Sequence, residues 1–185
     1  SSDLLAMRQY QNQVDDFNVD GLKVFIVHDT DPLNPRKEWD HAGTMVCFHK
    51  RYELGDKHDF PTPQAFRLWW EQYGTGGTLL PLYLYDHSGI TISTTPFSCP
   101  WDSGQVGWIY MTAKQANGMT DPEALLKSEV SEYDEYLRGD IYGFYIEDTD
   151  EEVLDSCWGF HGIDRCRKEA EYTARGYAKG KQVQP

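Results

Sequence analysis

Two polar loops hold the side chains in this sequence best suited to chemistry. They are Asp86-His87-Ser88-Gly89 and Ser98-Cys99-Pro100-Trp101-Asp102-Ser103-Gly104-Gln105, each beside an aromatic segment. Loops carried on a rigid scaffold are where binding and catalytic groups concentrate. Cys99, with His87 or His161 and with Asp102, has the composition of a thiol nucleophile, a base and an orienting carboxylate, groups that meet in space rather than in sequence. Apolar neighbours raise a thiol pKa, which argues against an activated Cys99. Read as a small-molecule pocket, the same loops would use Asp86, His87, Trp101 and Asp102. Tight-turn chemistry explains them more simply: Asp and Ser satisfy backbone amides and glycine takes positive φ.

Metal and nucleophile motifs are otherwise weak. Cys157, His161 and Cys166, with His49 or Cys99 as a fourth ligand, match no standard zinc spacing, so buried structural roles are favoured. Trp101-Asp102-Ser103-Gly104-Gln105 lacks the first glycine of a nucleophile elbow. Asp148-Thr149-Asp150-Glu151-Glu152 has Val153 where a calcium loop needs glycine. No metal and no cofactor is expected. Cys47, Cys99 and Cys157 have apolar or aromatic sequence neighbours, which favours buried free thiols.

The strongest feature is electrostatic. The chain has 185 residues, 17 basic and 30 acidic, for a formal net charge of −13. Residues 121–155 hold 13 acids against Lys127 and Arg138, whereas residues 165–181 carry six bases against two acids. Glu123, Glu129, Glu132, Asp134 and Glu135 are expected to point away from the core on one helix. Glu147, Asp148, Asp150, Glu151 and Glu152 are expected in a hairpin turn. A solvated face that keeps the protein soluble explains part of this excess. The rest suits a surface of carboxylates standing in for phosphates on a basic groove. The same charge argues against direct nucleic-acid binding by the protein itself.

These groups need elements to position them. Leu4, Met7, Tyr10, Val14 and Phe17 are spaced for an amphipathic helix in residues 1–20. Leu22–Val27, Thr44–His49 and Val106–Met111 read as strands. Leu79–Tyr85 and Gly89–Thr94 flank a polar turn and read as a hairpin. Thr62-Pro63 opens a short helix that Gly74 ends. Asp121-Pro122 opens the clearest helix, with Leu126, Val130, Tyr133 and Leu137 in one stripe. Ile141–Ile146 and Val153–Phe160 read as strands around the acidic turn, and a helix follows from Arg165 to about Tyr177. The expected fold is α+β, a mainly antiparallel sheet of about six to seven strands with two to four helices packed on it. The expected division is a helical segment 1–20, a domain 21–163 and a basic helix and tail 164–185.

Composition is that of a folded protein: 39% hydrophobic, 25% charged and 14% aromatic residues. No apolar run approaches a membrane span and no leader-like segment is evident, so a cytoplasmic location in a host cell is expected.

Four stretches, His28–Arg36, Thr44–His49, Leu82–Thr91 and Phe97–Tyr110, resemble a family of small acidic proteins carried by bacteriophages and mobile elements. The resemblance spans roughly Val24 to Phe160. It implies an origin, with no catalytic residue attached. Small acidic accessory proteins from such sources often block host defences, restriction enzymes and CRISPR complexes among them. The leading expectation is therefore a non-enzymatic anti-defence inhibitor that grips a host nucleic-acid-handling protein through its acidic surface. The alternatives are a small-molecule-binding protein or thiol- or metal-dependent enzyme using the Asp86-His87 and Cys99–Asp102 loops, and a virion structural or assembly protein.

Overall fold

Alternating and periodic apolar positions settle into thirteen elements in the computed structural model, which describes residues 10–182. In chain order they are β1 (Gln13–Val19), β2 (Leu22–His28), α1 (Pro35–Glu38), β3 (Thr44–Cys47), α2 (Pro63–Tyr73), β4 (Thr78–Asp86), β5 (Ile90–Ser93), β6 (Ser103–Met111), α3 (Ala113–Ala116), α4 (Pro122–Leu137), β7 (Ile141–Glu147), β8 (Val153–His161) and α5 (Ile163–Gln182). The α+β class holds. The strands form two four-stranded antiparallel sheets rather than one sheet, and among the described residues there are eight strands and five helices. The chain divides into two compact units. One comprises the described residues up to Pro32 together with Gly139 onward, and the other is Leu33–Arg138. Segments set apart in the sequence reading, near residues 10–20 and 164–182, thus belong to one unit with β2, β7 and β8.

In the first unit the strand order is β1-β2-β7-β8. The helix expected before Asp20 is overturned where it can be described: Gln13–Val19 is a strand whose exposure alternates. Asp20 at φ 47° and Gly21 at φ 85° join it to β2. Two consecutive positive φ values make the tight hairpin turn for which Asp-Gly is suited, and pairing across that turn overrides the weak helical spacing. Leu4 and Met7 of that expected helix lie outside the described residues. Val24, Ile26, Phe144 and Ile146 face α5, which presents Cys166, Ala170, Ala174 and Ala178 at four-residue intervals. Such small residues let a helix lie close on a sheet. The helix begins two residues before the expected Arg165 and continues past Tyr177.

In the second unit the order is β3-β6-β4-β5. Helix α4 lays Leu126, Val130 and Tyr133 on Met45, Leu82, Leu84, Ile92, Ile109 and Met111, the face its sequence stripe predicts. The alternate residues of β6, Trp108 and Tyr110, face the other way and meet Phe66 of α2 at ring distances of 5.0 and 5.6 Å. Thr62 caps α2 by accepting from Ala65 N at 3.1 Å, and Asp121 caps α4 by accepting from Ala124 N at 2.9 Å. The expected strand through His49 ends at Cys47.

Strands β3 and β6 come unusually close at Gly107. A Cβ there would lie 1.9 Å from the Val46 carbonyl oxygen, so only glycine fits. One residue earlier, at Val106, β6 slips register against β4 between the pairs Leu82↔Gly107 and Tyr83↔Gln105. Such bulges re-aim side chains beside binding sites.

Candidate functional site

The acidic residues singled out in the sequence have different fates. Glu129 does not point outward: it is 7% exposed. It accepts from Arg36 Nη1 at 3.0 Å, Ala42 N at 2.9 Å and Gly43 N at 3.2 Å. Its position one residue before Val130 places it at the edge of the helix stripe, and Arg36, held under α4, draws it inward. Arg36 also donates from Nε to Asp56 at 2.8 Å and from Nη2 to the Gly43 carbonyl at 2.8 Å. Burial alone lowers the Arg36 pKa, but the bonds and charges of Asp56 and Glu129 outweigh it and raise it. The group is a buried pin rather than a docking surface.

Asp134 accepts from Thr91 Oγ1 at 3.0 Å and Ile92 N at 2.9 Å, and pairs with Arg138 at 2.9 Å. It thereby ties α4 to β5. Glu132 lies 3.4 Å from His41 Nε2, and Glu135 is half-buried. Glu123 is exposed and pairs with Lys127 at 2.7 Å. In the first unit, Glu147 is buried and accepts from the Tyr10 hydroxyl. Asp148 shapes its turn by accepting from Asp150 N at 2.9 Å and Glu152 N at 3.1 Å. Asp150, Glu151 and Glu152 are exposed. The helix acids and the turn acids thus belong to different units.

The thiols also separate. Cys47 and Cys166 are buried, Cys99 is half-buried, and Cys157, expected to be buried, is exposed on β8. Its aromatic neighbour Trp158 packs over Gly143, which leaves Cys157 on the other side of the strand. Burial pushes the Cys166 thiol up to about 12, which keeps it protonated near neutrality and unsuited to ligating metal. Among the described residues no three His, Cys, Asp or Glu side chains are grouped to hold an ion.

The two polar loops do converge, within the second unit. Asp86 ends β4, and its backbone N donates to the Asp102 carbonyl at 2.9 Å. His87 Nδ1 lies 3.1 Å from Asp102 Oδ2, with both side chains open to solvent. The Cys99 carbonyl accepts from Ser103 Oγ, which closes the second loop. No hydrogen bond joins the Cys99 thiol to His87 or Asp102 among the described residues. Arg51 Nη2 donates to Asp86 Oδ2 at 2.5 Å. His49 Nδ1 accepts from Arg51 N and Tyr52 N, each at 3.1 Å, and so shapes the approach to that pair.

These groups border a cleft of about 320 Å³ whose lining includes Phe48, His49, Arg51, Asp86, Trp101, Asp102 and Gln105. Trp101 is 91% exposed. A second hollow of about 420 Å³ is lined by Phe66, Arg67, Trp70, Glu71, Leu79, Pro81, Gln105 and Trp108. Gln105 lines both. A third, of about 650 Å³, lies over Arg36, Asp56 and Cys47. There the arginine is committed to the pin, and burial first, then the Asp56 charge, push the thiol up to about 12. No family model, curated protein or solved structure matches this chain. Function therefore rests on the geometry of the chain itself.

Asp86, Trp101 and Asp102 of the sequence reading line the cleft, and His87 braces its edge. Cys99 does not line it. Arg51, Trp70 and Trp108 were missed, and His49 and Gln105 were named only as a possible zinc ligand and as the end of a polar loop. For Trp108 a signal was present: with Tyr110 it alternates with the apolar Ile109 and Met111 along β6, which places it on the face opposite α4. For Arg51 there was none, because its partner lies far away in sequence.

Proposed function

We propose that the protein acts as a binding protein whose ligand lies in the cleft bordered by Arg51, Asp86, Trp101, Asp102 and Gln105. The observation that carries this reading is the convergence of these residues, from three separated segments, around one concavity with an indole held almost wholly in water at its rim. Pockets combine apolar faces with a few polar groups that fix orientation, and this cleft has that composition. An indole this exposed leaves a broad apolar ring face open to a ligand. The exposed His87–Asp102 contact adds little stability, which leaves both groups available to a ligand.

A second reading keeps the acidic surface. Lys23 pairs across the sheet with Glu147, so the β1–β2 and β7–β8 turns share one end of the first sheet, and Asp20, Asp150, Glu151 and Glu152 are exposed there. That smaller patch would dock on a basic nucleic-acid-handling host protein of a restriction or CRISPR kind.

One experiment separates the two. Immobilised protein is exposed to bacterial lysate at low and high salt, and retained small molecules and macromolecules are identified. The cleft reading expects retention that Trp101→Ala with Asp102→Ala abolishes and high salt leaves largely intact. The acidic reading expects salt-sensitive retention that is lost only when Asp150, Glu151 and Glu152 become lysine. Undiminished retention by the cleft variant rejects the first reading.

A further inference from the structure

We infer that the cleft takes a neutral saccharide, and that a linear oligosaccharide runs from Trp101 past Gln105 into the neighbouring hollow; this rests on the cleft being the ligand site.

Charge comes first. Arg51 is matched by Asp86, and His87 lies on Asp102. Arg51 and Asp86 thus cancel within the protein, while Asp102, in contact with His87, leaves carboxylate character that disfavours an anionic ligand. Each pair leaves unused capacity, since a carboxylate offers about four lone-pair positions and a guanidinium about five N–H donors. The Gln105 amide offers both kinds. Donors and acceptors are therefore both present around the concavity. A hydroxyl donates and accepts at once, so a polyol matches that lining. A phosphate would meet the Asp86 and Asp102 carboxylates, and an acyl chain would strand them without water.

The remaining wall is the Trp101 indole, a broad apolar face beside polar groups. A pyranose ring divides the same way, with a face of C–H groups and an edge of hydroxyls. Laying the C–H face on Trp101 removes apolar area from water on both partners, while the hydroxyls reach Arg51, Asp86 and Gln105. A nucleotide would stack as well, but its phosphate would face the two carboxylates.

Length follows from Gln105, which lines both hollows. From Ser103 to Trp108 strand β6 advances five residues, at most about 17 Å, more than one ring needs. The second hollow repeats the pattern of aromatic faces, Trp70 and Trp108, with a planar donor, Arg67, at the rim.

The test is a titration of the full chain, followed by tryptophan fluorescence and by indole N–H chemical shifts. The probes are glucose, galactose, mannose and N-acetylglucosamine, and linear trisaccharides of each. At least one sugar is expected to saturate the signal with little dependence on salt, and its trisaccharide to bind about tenfold tighter or more. Trp101→Ala should weaken both by about tenfold or more, and Trp101→Phe should restore part of the loss. Arg67→Ala should leave the monosaccharide unchanged and remove the advantage of the trisaccharide. Trp101 is so exposed that its variants should melt as wild type, which separates lost binding from lost folding.

A silent sugar panel, sugar binding that Trp101→Ala leaves intact, or saturation by adenosine or arginine amide in place of sugars overturns the proposal. If the panel is silent but Trp101→Ala with Asp102→Ala still abolishes lysate retention, the saccharide fails and the cleft reading survives. Retention unchanged in that variant removes both.

Discussion

Glu129 shows how a single carboxylate changes meaning with its partner. With Arg36 beside it and the Ala42 and Gly43 amides in reach, it closes a buried network that also takes in Asp56. Removing Glu129 leaves Arg36 to Asp56 and strips the Ala42 and Gly43 amides of their acceptor, at a cost of about 1–3 kcal/mol. Glu129→Ala should therefore lower stability by about that much in denaturant unfolding, whereas Glu123→Ala should stay within about 0.5 kcal/mol of wild type. Equal, small effects would mean that Glu129 is solvated. The buried thiols and Tyr133 set the alkaline limit. In an unfolded chain cysteine ionises near about 8.5 and tyrosine near about 10. Burial pushes Cys47, Cys166 and Tyr133 up to about 12 in the fold. The unfolded state thus releases these protons first. Stability from this source is complete below about pH 8.5 and declines as pH rises toward about 12. Cys47→Ala should make the alkaline decline of the unfolding midpoint shallower, and an unchanged slope would contradict the burial argument.

Among the elements, β6 carries the most constraints. It pairs with β3 and β4, packs Ile109 and Met111 on one face and Trp108 on the other, and bulges just where Gln105 enters the cleft. Gly107→Ala would drive a Cβ into the Val46 carbonyl and force β3 away. It should cost about 1–3 kcal/mol, while Gly104→Ala, with nothing within 4 Å, should be near neutral to stability by thermal melting. Capped helices and apolar alternation were readable along the chain because their signals lie within a few residues. Thr62-Pro63, Asp121-Pro122 and the β4–β5 turn are cases in point. The capping box of α3, Thr112 with Gln115, was equally local and was passed over, as was the Asp20-Gly21 turn. In the latter the apolar spacing suggested a helix, and the turn chemistry that decides the register was the better guide.

At the scale of the whole chain, the second unit is an insertion within the first. The chain leaves from the end of β2 and returns at β7, where His28 is paired with Tyr142 and Asp29 N donates to the Ile141 carbonyl at 2.8 Å. Ends held this close let a compact unit be inserted without opening the sheet. Residues 33–138 expressed alone should melt cooperatively and keep the environment of Trp101, because their core is their own. A fragment lacking a cooperative transition by circular dichroism would show that the second unit depends on the first. No helix among the described residues is long and apolar enough to cross a membrane.

By itself the sequence determined what short-range physics controls: where helices start, where strands alternate, the α+β class and the stripe Leu126, Val130 and Tyr133. Only the tertiary structure decided that the strands divide into two sheets, that Glu129 turns inward, and that Arg51, Asp86, Trp101 and Gln105 share a cleft. Those outcomes depend on partners distant along the chain. The selection among possible partners is made by packing and by the cost of burying unpaired charge, neither of which leaves a periodic mark in the residues.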